Sequence, residues 1–282
     1  CSGAPATLPI ASTEGAWTPN AFLQILPDNT IRFYTARSEM GQGVTTGLAT
    51  LVGEELDVNP LDMDIRLAGV HEDYVNPAFG MQGTGGSSSI RAHYMQLRQV
   101  GANTRRLILE AAAQDLGVSA SELSTENGFV LHDDERHPYA AFVETAQSLS
   151  IEADAPLKPA SQFQYIGQET KRVDAIAKAT GTAEFGIDVD VPDMHYAVIV
   201  RPPVARAKAQ SVNAANAKAM PGVINIFEVS TGVAVVAETF WQAKQAATKV
   251  EVQWESMPLD SLDTDTLRRD YAAALDANDG VE

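Results

Sequence analysis

Gly80-Met81-Gln82-Gly83-Thr84-Gly85-Gly86-Ser87-Ser88-Ser89 runs directly into a long helical stretch, Ile90 to Leu116. A shorter counterpart, Ser38-Glu39-Met40-Gly41-Gln42-Gly43, opens onto Val44 to Leu56. Glycine lets a backbone approach a ligand closely, and a helix start presents unpaired N–H groups and a positive dipole end. A glycine-rich turn that opens a helix is therefore suited to cradle a phosphate or pyrophosphate. Two cradles in one chain suggest a large anionic ligand held from two sides. The same glycines also suit two ordinary tight turns, and the motif alone does not separate these readings.

Composition narrows the class. A chain of 282 residues has room for about two domains. It is 45% hydrophobic and 20% charged, as in a globular protein, with no apolar run long enough to cross a membrane. The 37 acidic and 20 basic residues give a net charge of −17, which argues against nucleic acid as a partner. Cys1 is the single cysteine, so no disulfide or thiolate metal cluster can form within the chain. Its setting before Ser2-Gly3-Ala4-Pro5 fits either a lipid-anchored, exported protein or a plain chain boundary. The compartment stays open between periplasm and cytoplasm. The histidines His71, His93, His132, His137 and His195 show no metal-ligand spacing, and no metal site is expected. Ser87, Ser88 and Ser89 lack the Gly-x-Ser-x-Gly frame of a nucleophile elbow.

Along the chain, residues 1–18 read as a flexible leader. Ala21 to Leu26 and Ile31 to Ala36 read as a hairpin around Pro27-Asp28-Asn29. Met63 to Leu67 is a short strand, and Asn127-Gly128 turns a second hairpin. The helix after Gly80–Ser89 keeps Tyr94, Leu97, Ile108 and Ala112 on one face, with Gly117 as its cap. Arg91, Arg98, Arg105 and Arg106 read as its solvated side, with Arg91 the one placed to touch a phosphate. Glu54 and Glu55 read as the solvated side of the first helix, and Glu39 either as an acid standing behind the site or as an ion-pair partner of Arg37. Residues 150–164 form a linker. Beyond it, strands are expected at Gly181 to Ile187, Tyr196 to Val200, Val223 to Val229, Gly232 to Ala237 and Val250 to Trp254. Helices fit Asn213 to Met220, Thr239 to Thr248 and Asp263 to Leu275. The fold class is α+β.

Further residues carry a family resemblance. Asp174, Lys178-Ala179-Thr180-Gly181-Thr182-Ala183-Glu184-Phe185, Asp188, Pro192-Asp193-Met194-His195-Tyr196-Ala197, Arg201-Pro202-Pro203 and Gly232-Val233-Ala234-Val235-Val236-Ala237 occur in that order. This series resembles the a/b hammerhead domain of the aldehyde oxidase and xanthine dehydrogenase family. Glu39-Met40-Gly41-Gln42-Gly43 resembles that family's recurrent cofactor loop. Tyr74-Val75-Asn76-Pro77, taken with Gly80 to Ser87, is similar to one branch, the large subunit of isoquinoline 1-oxidoreductase-like enzymes (beta subunit type). The resemblance implies part of a molybdenum-cofactor-binding domain at 19–164, an a/b hammerhead domain at 165–256, and at 257–282 a linker and the start of a further domain. It implies a molybdopterin cytosine dinucleotide against Gly41, Gln42 and Gly43 of the first loop and Gly83, Gly85, Gly86 and Ser87 of the second. It also implies hydroxylation of an aldehyde or N-heteroaromatic substrate, with electrons passed to a [2Fe-2S] partner subunit or domain.

One departure matters. The family's catalytic base is a glutamate in a glycine-rich motif, and no such motif occurs here. The chain therefore reads as an N-terminal fragment with no catalytic residue of its own, expected neither to hold the cofactor tightly nor to catalyse alone. The competing class is a non-catalytic scaffold subunit that keeps the fold.

Overall fold

The structure, a computed structural model, describes residues 10–277. Cys1 lies outside them, as does the first half of the expected leader. The chain divides into two compact units, one ending at Ala183 and the other beginning at Glu184.

The first unit opens with β1 (Trp17–Asn20), β2 (Leu23–Ile25) and β3 (Ile31–Thr35). Trp17, expected in the leader, starts β1 and is buried. The β2–β3 hairpin has the expected form, with Leu23 opposite Phe33 and Ile25 opposite Ile31. Alternation buries Ile31, Phe33 and Thr35 on one face. Next come α1 (Val44–Leu56) and β4 (Asp64–Leu67), which pairs with β3 in parallel. A parallel return needs a crossover, and α1 is that crossover. Asp57, left-handed at φ 56, ends α1.

The long helix α2 (Ser89–Leu116) packs along α1 and stops at Gly117, left-handed at φ 69. An antiparallel meander follows, β5 (Ser124–Glu126), β6 (Phe129–His132) and β7 (Glu135–Pro138), turned at Asn127-Gly128 as expected. Both turn residues have positive φ, which asparagine and glycine tolerate. Only Val143–Ala146 (α3) of the expected helix Tyr139 to Leu149 is α-helical; Tyr139–Phe142 is a 3-10 turn. The unit closes with α4 (Ala175–Thr180). Its core joins Leu23, Phe33, Leu48, Leu56, Leu97 and Ile108, with further apolar neighbours.

The second unit contains β8 (Tyr196–Val200), β9 (Ala209–Asn213), α5 (Ala215–Lys218), β10 (Val223–Val229), β11 (Gly232–Ala237), α6 (Phe240–Ala247), β12 (Glu251–Trp254) and α7 (Thr264–Ala277). β8, β10 and β11 form an antiparallel sheet with β11 central, and β9 pairs with β12 as a separate ribbon. The central position explains the apolar run of β11, whose Val233, Ala234 and Val235 are all buried. Expectation failed at two places. Gly181 to Ile187 is no strand: Gly181 caps α4 and Gly186–Asp188 is a 3-10 turn. β9, with its polar sequence, is an additional strand.

Candidate site between two glycine-rich loops

The two loops predicted from glycine spacing meet. The Ser38 N–H donates to Thr84 Oγ1 at 2.9 Å, linking first loop to second. Between them lies a cavity of about 410 Å³, lined by Met40, Gln42, Gly43, Thr84, Ser87 and Ile90, among others. Gly85 also lines it; Gly41, Gly83 and Gly86 belong to the same loops without lining it. A larger groove of about 710 Å³ follows the outer side of α2 past Gln96 and Asn103, away from both loops.

The first loop already holds an anion. Glu39 Oε1 accepts the N–H groups of Gly41 and Gly43, both at 2.9 Å, and Oε2 accepts that of Thr45 at 3.1 Å. Burial pushes this carboxyl up. The N–H groups of Gly43, Thr45 and Gly41, with the Arg172 guanidinium, outweigh burial and hold it below the ordinary range. Gly41 and Gly43 sit at φ 97 and 83, where a glycine is needed. Gln42 braces the same loop. Its Oε1 accepts the Met40 N–H at 2.6 Å, and its Nε2 donates to the Ser38 carbonyl at 3.0 Å. The amides expected to meet a phosphate are thus committed to Glu39. Glu39 does not pair with Arg37; its partner is Arg172, at 3.2 Å.

The second loop is the more open one. Ser87, at φ 51, and Gly86, at φ 59, turn the chain into α2, whose first N–H groups have no side-chain cap. Side chains built onto Gly85 or Gly86 would meet nothing within 4 Å. Behind the loop, the fully buried Asn76 organises it. Its Nδ2 donates to Ser88 Oγ at 2.8 Å, and its Oδ1 accepts the Ala78 N–H at 3.0 Å. Asn76 stands in the motif read from sequence, but its bracing role was not legible there. Arg91 is exposed on α2 and does not line the cavity.

Beside the first loop, Arg37 is 0% exposed. It donates to the carbonyls of Ala36 at 2.6 Å and Tyr74 at 3.0 Å, and meets His93 Nε2 at 2.8 Å. Burial and the adjacent Arg37 charge push the His93 imidazole down to about 4. A neutral imidazole can accept from the guanidinium; a protonated one could not. Among the described residues, no group of three or more His, Cys, Asp and Glu side chains is placed to hold a metal ion.

The family described as molybdopterin cofactor-binding domain matches residues 3–200, past the boundary expected at 164. The chain is 28% identical to the beta subunit of isoquinoline 1-oxidoreductase from Brevundimonas diminuta, covering 92% of this chain and 39% of that protein. It is 32% identical to a membrane-bound aldehyde dehydrogenase (pyrroloquinoline-quinone) of Gluconacetobacter polyoxogenes, covering 86% of this chain and 32% of the relative. It is 29% identical to a nicotinate dehydrogenase subunit of Pseudomonas putida, covering 83% and 20%. The chain thus spans well under half the length of these relatives.

Proposed function

This chain belongs to the molybdopterin cofactor-binding domain family, and from that premise we propose that it is the N-terminal part of a molybdenum hydroxylase large subunit. The observation that carries the proposal is the cavity of about 410 Å³ lined by residues of both glycine-rich loops. The fit is chemical as well as spatial. The uncapped start of α2 offers N–H groups to an anion, and Gly85 and Gly86 leave room for close approach. Gly83, Gly85, Gly86 and Ser87 would therefore take the phosphate-bearing side of a molybdopterin cytosine dinucleotide. Gln42 keeps one Nε2 hydrogen beyond its bond to Ser38, and Gly41 and Gly43 shape the loop that presents it. When bound, the cofactor supplies the molybdenum centre at which a substrate carbon gains oxygen from water and electrons are withdrawn.

This chain's own residues bind and orient. Two relatives carry N-heteroaromatic compounds in their names and one an aldehyde, which supports a substrate of either class. Two are named as subunits, which supports a partner, in our reading one bearing a [2Fe-2S] cluster. The second unit we read as the a/b hammerhead domain. Catalysis we assign to segments of the whole subunit outside these residues.

The test is plasma mass spectrometry of the whole subunit, co-produced with its iron–sulfur partner, beside this chain. Molybdenum stoichiometric with the whole subunit and sparse in the chain is the expected result. Pyrroloquinoline quinone in an acid extract of the same preparation, read by liquid-chromatography mass spectrometry, with no molybdenum, would replace the cofactor assignment. Neither group, from a host that loads a control molybdenum hydroxylase, would leave a scaffold subunit.

A further inference from the structure

We propose that Arg172 is a positioning residue for the first glycine-rich loop, and that Asp174 and Lys178 hold its guanidinium in place. Asp174, which grips the guanidinium, and Lys178, which backs Asp174, are motif positions that the cofactor reading leaves without a task.

The geometry assigns one. Arg172 Nη1 donates to the Gly41 carbonyl at 2.7 Å, and Nη2 meets Glu39 Oε1 at 3.2 Å. One guanidinium thus grips both the carboxylate that organises the loop and the carbonyl at its apex. Its Nε and Nη2 donate to the two Asp174 oxygens at 2.8 and 2.7 Å. This planar, two-bond clamp fixes the direction of the fork. Lys178, one helical turn on, sits 2.5 Å from Asp174 Oδ2 and offsets its charge.

The backbone beside Arg172 is fixed as well. The Val173 N–H donates to Thr46 Oγ1 at 3.1 Å, in the first turn of α1. At the other end of α1, Glu54 receives the N–H groups of Gln164, Tyr165 and Ile166, between 2.8 and 3.1 Å. The Lys158 N–H donates to Glu55 Oε2 at 3.1 Å. Residues 158–174 therefore form a strap tied to α1 at both ends, and Arg172 is where the strap reaches the loop.

Arg172 is 37% exposed, so its ion pair with Glu39 adds little to global stability. Glu39 keeps its three backbone donors without it. What Arg172 alone adds is the hold on the Gly41 carbonyl. Its loss should loosen the loop and leave the fold intact. The proposal rests on the cofactor reading only in saying what the ordered loop is for.

Hydrogen exchange on this chain separates the two. In Arg172→Met, amides of residues 39–45 should exchange about tenfold faster, with α2 and the β2–β3 hairpin unchanged. Arg172→Lys keeps the charge but loses the fork, and should fall between Met and the parent. Unchanged exchange at 39–45 in both variants would overturn the proposal, as would a uniform rise across the first unit. Molybdenum retention by the whole subunit carrying Arg172→Met is then read separately. Faster exchange with lower retention supports both readings. Faster exchange with full retention keeps the positioning role and removes the loop from the cofactor site.

Discussion

Glu54 and Glu55 are each 0% exposed, although sequence periodicity puts them on the solvated side of α1. The helix face they occupy is covered by a strap about a hundred residues further along, which local periodicity cannot register. Arg98 shows the same failure: it is buried, donates to Glu55 Oε1 at 2.8 Å, and lies over the rings of Tyr94 and Phe163. Lys158 reaches Asp57 and the Glu54 carbonyl, completing a buried charge cluster. Removing one member leaves the others uncompensated, so Glu54→Ala should cost about 3–5 kcal/mol in urea unfolding. Loss of under about 1 kcal/mol would place the cluster among surface ion pairs instead. His93 gives a pH signature. Above its ordinary value of 6.5 the imidazole is neutral in both folded and unfolded chains. As pH falls toward about 4, only the unfolded chain takes up the proton. Stability should therefore drop by about 2–3 kcal/mol across that window. His93→Gln should flatten that part of the curve; an unaltered slope would assign the acid sensitivity to other groups.

Elements were legible where turn chemistry and alternation are local. Both hairpins of the first unit, the β4 strand and the start of α2 follow from residues within a few positions of one another. β9 was missed because Ala209-Gln210-Ser211-Val212-Asn213 carries little strand propensity; its pairing with β12 makes it a strand. Gly181 to Ile187 failed in the opposite direction, because Gly181 serves as a left-handed helix cap at φ 74. The contact between α1 and α2 was not legible at all, and Gly101 is a point of close approach in it. A side chain at Gly101 would come within 2.5 Å of the Val52 carbonyl and 3.1 Å of Glu55 Cβ. Gly101→Ala should push the helices apart and cost about 1–3 kcal/mol. Gly47 makes the contrast, because a methyl there meets only the end of the Ile90 side chain, at 2.7 Å. That side chain can turn away, and alanine favours a helix interior by about 0.5–1 kcal/mol. Gly47→Ala should therefore be neutral to stabilising in thermal unfolding. Equal losses at both positions would contradict this account of the helix contact.

At the scale of the molecule, composition suggested two domains, and two units are present. Their division, however, falls after Ala183 rather than in the Pro156 and Pro159 region. A proline-rich segment marks a boundary only when the chain beyond it is left untied. Here Ile166 packs on the first core, Tyr165 and Ile166 donate to Glu54, and Arg172 holds the Gly41 carbonyl. Among the described residues, the core of the first unit draws its members from residues up to 166, and that of the second from residues 200 to 254. A chain ending at Ala183 should thus fold alone, with cooperative urea unfolding by circular dichroism. A chain ending at Gln164 keeps nearly all of that core but loses two donors to a buried carboxylate, which should cost about 3 kcal/mol or more. If both truncations unfold at the same urea concentration, residues 165–183 contribute nothing to the first unit, and the compositional boundary at 164 is the structural one after all.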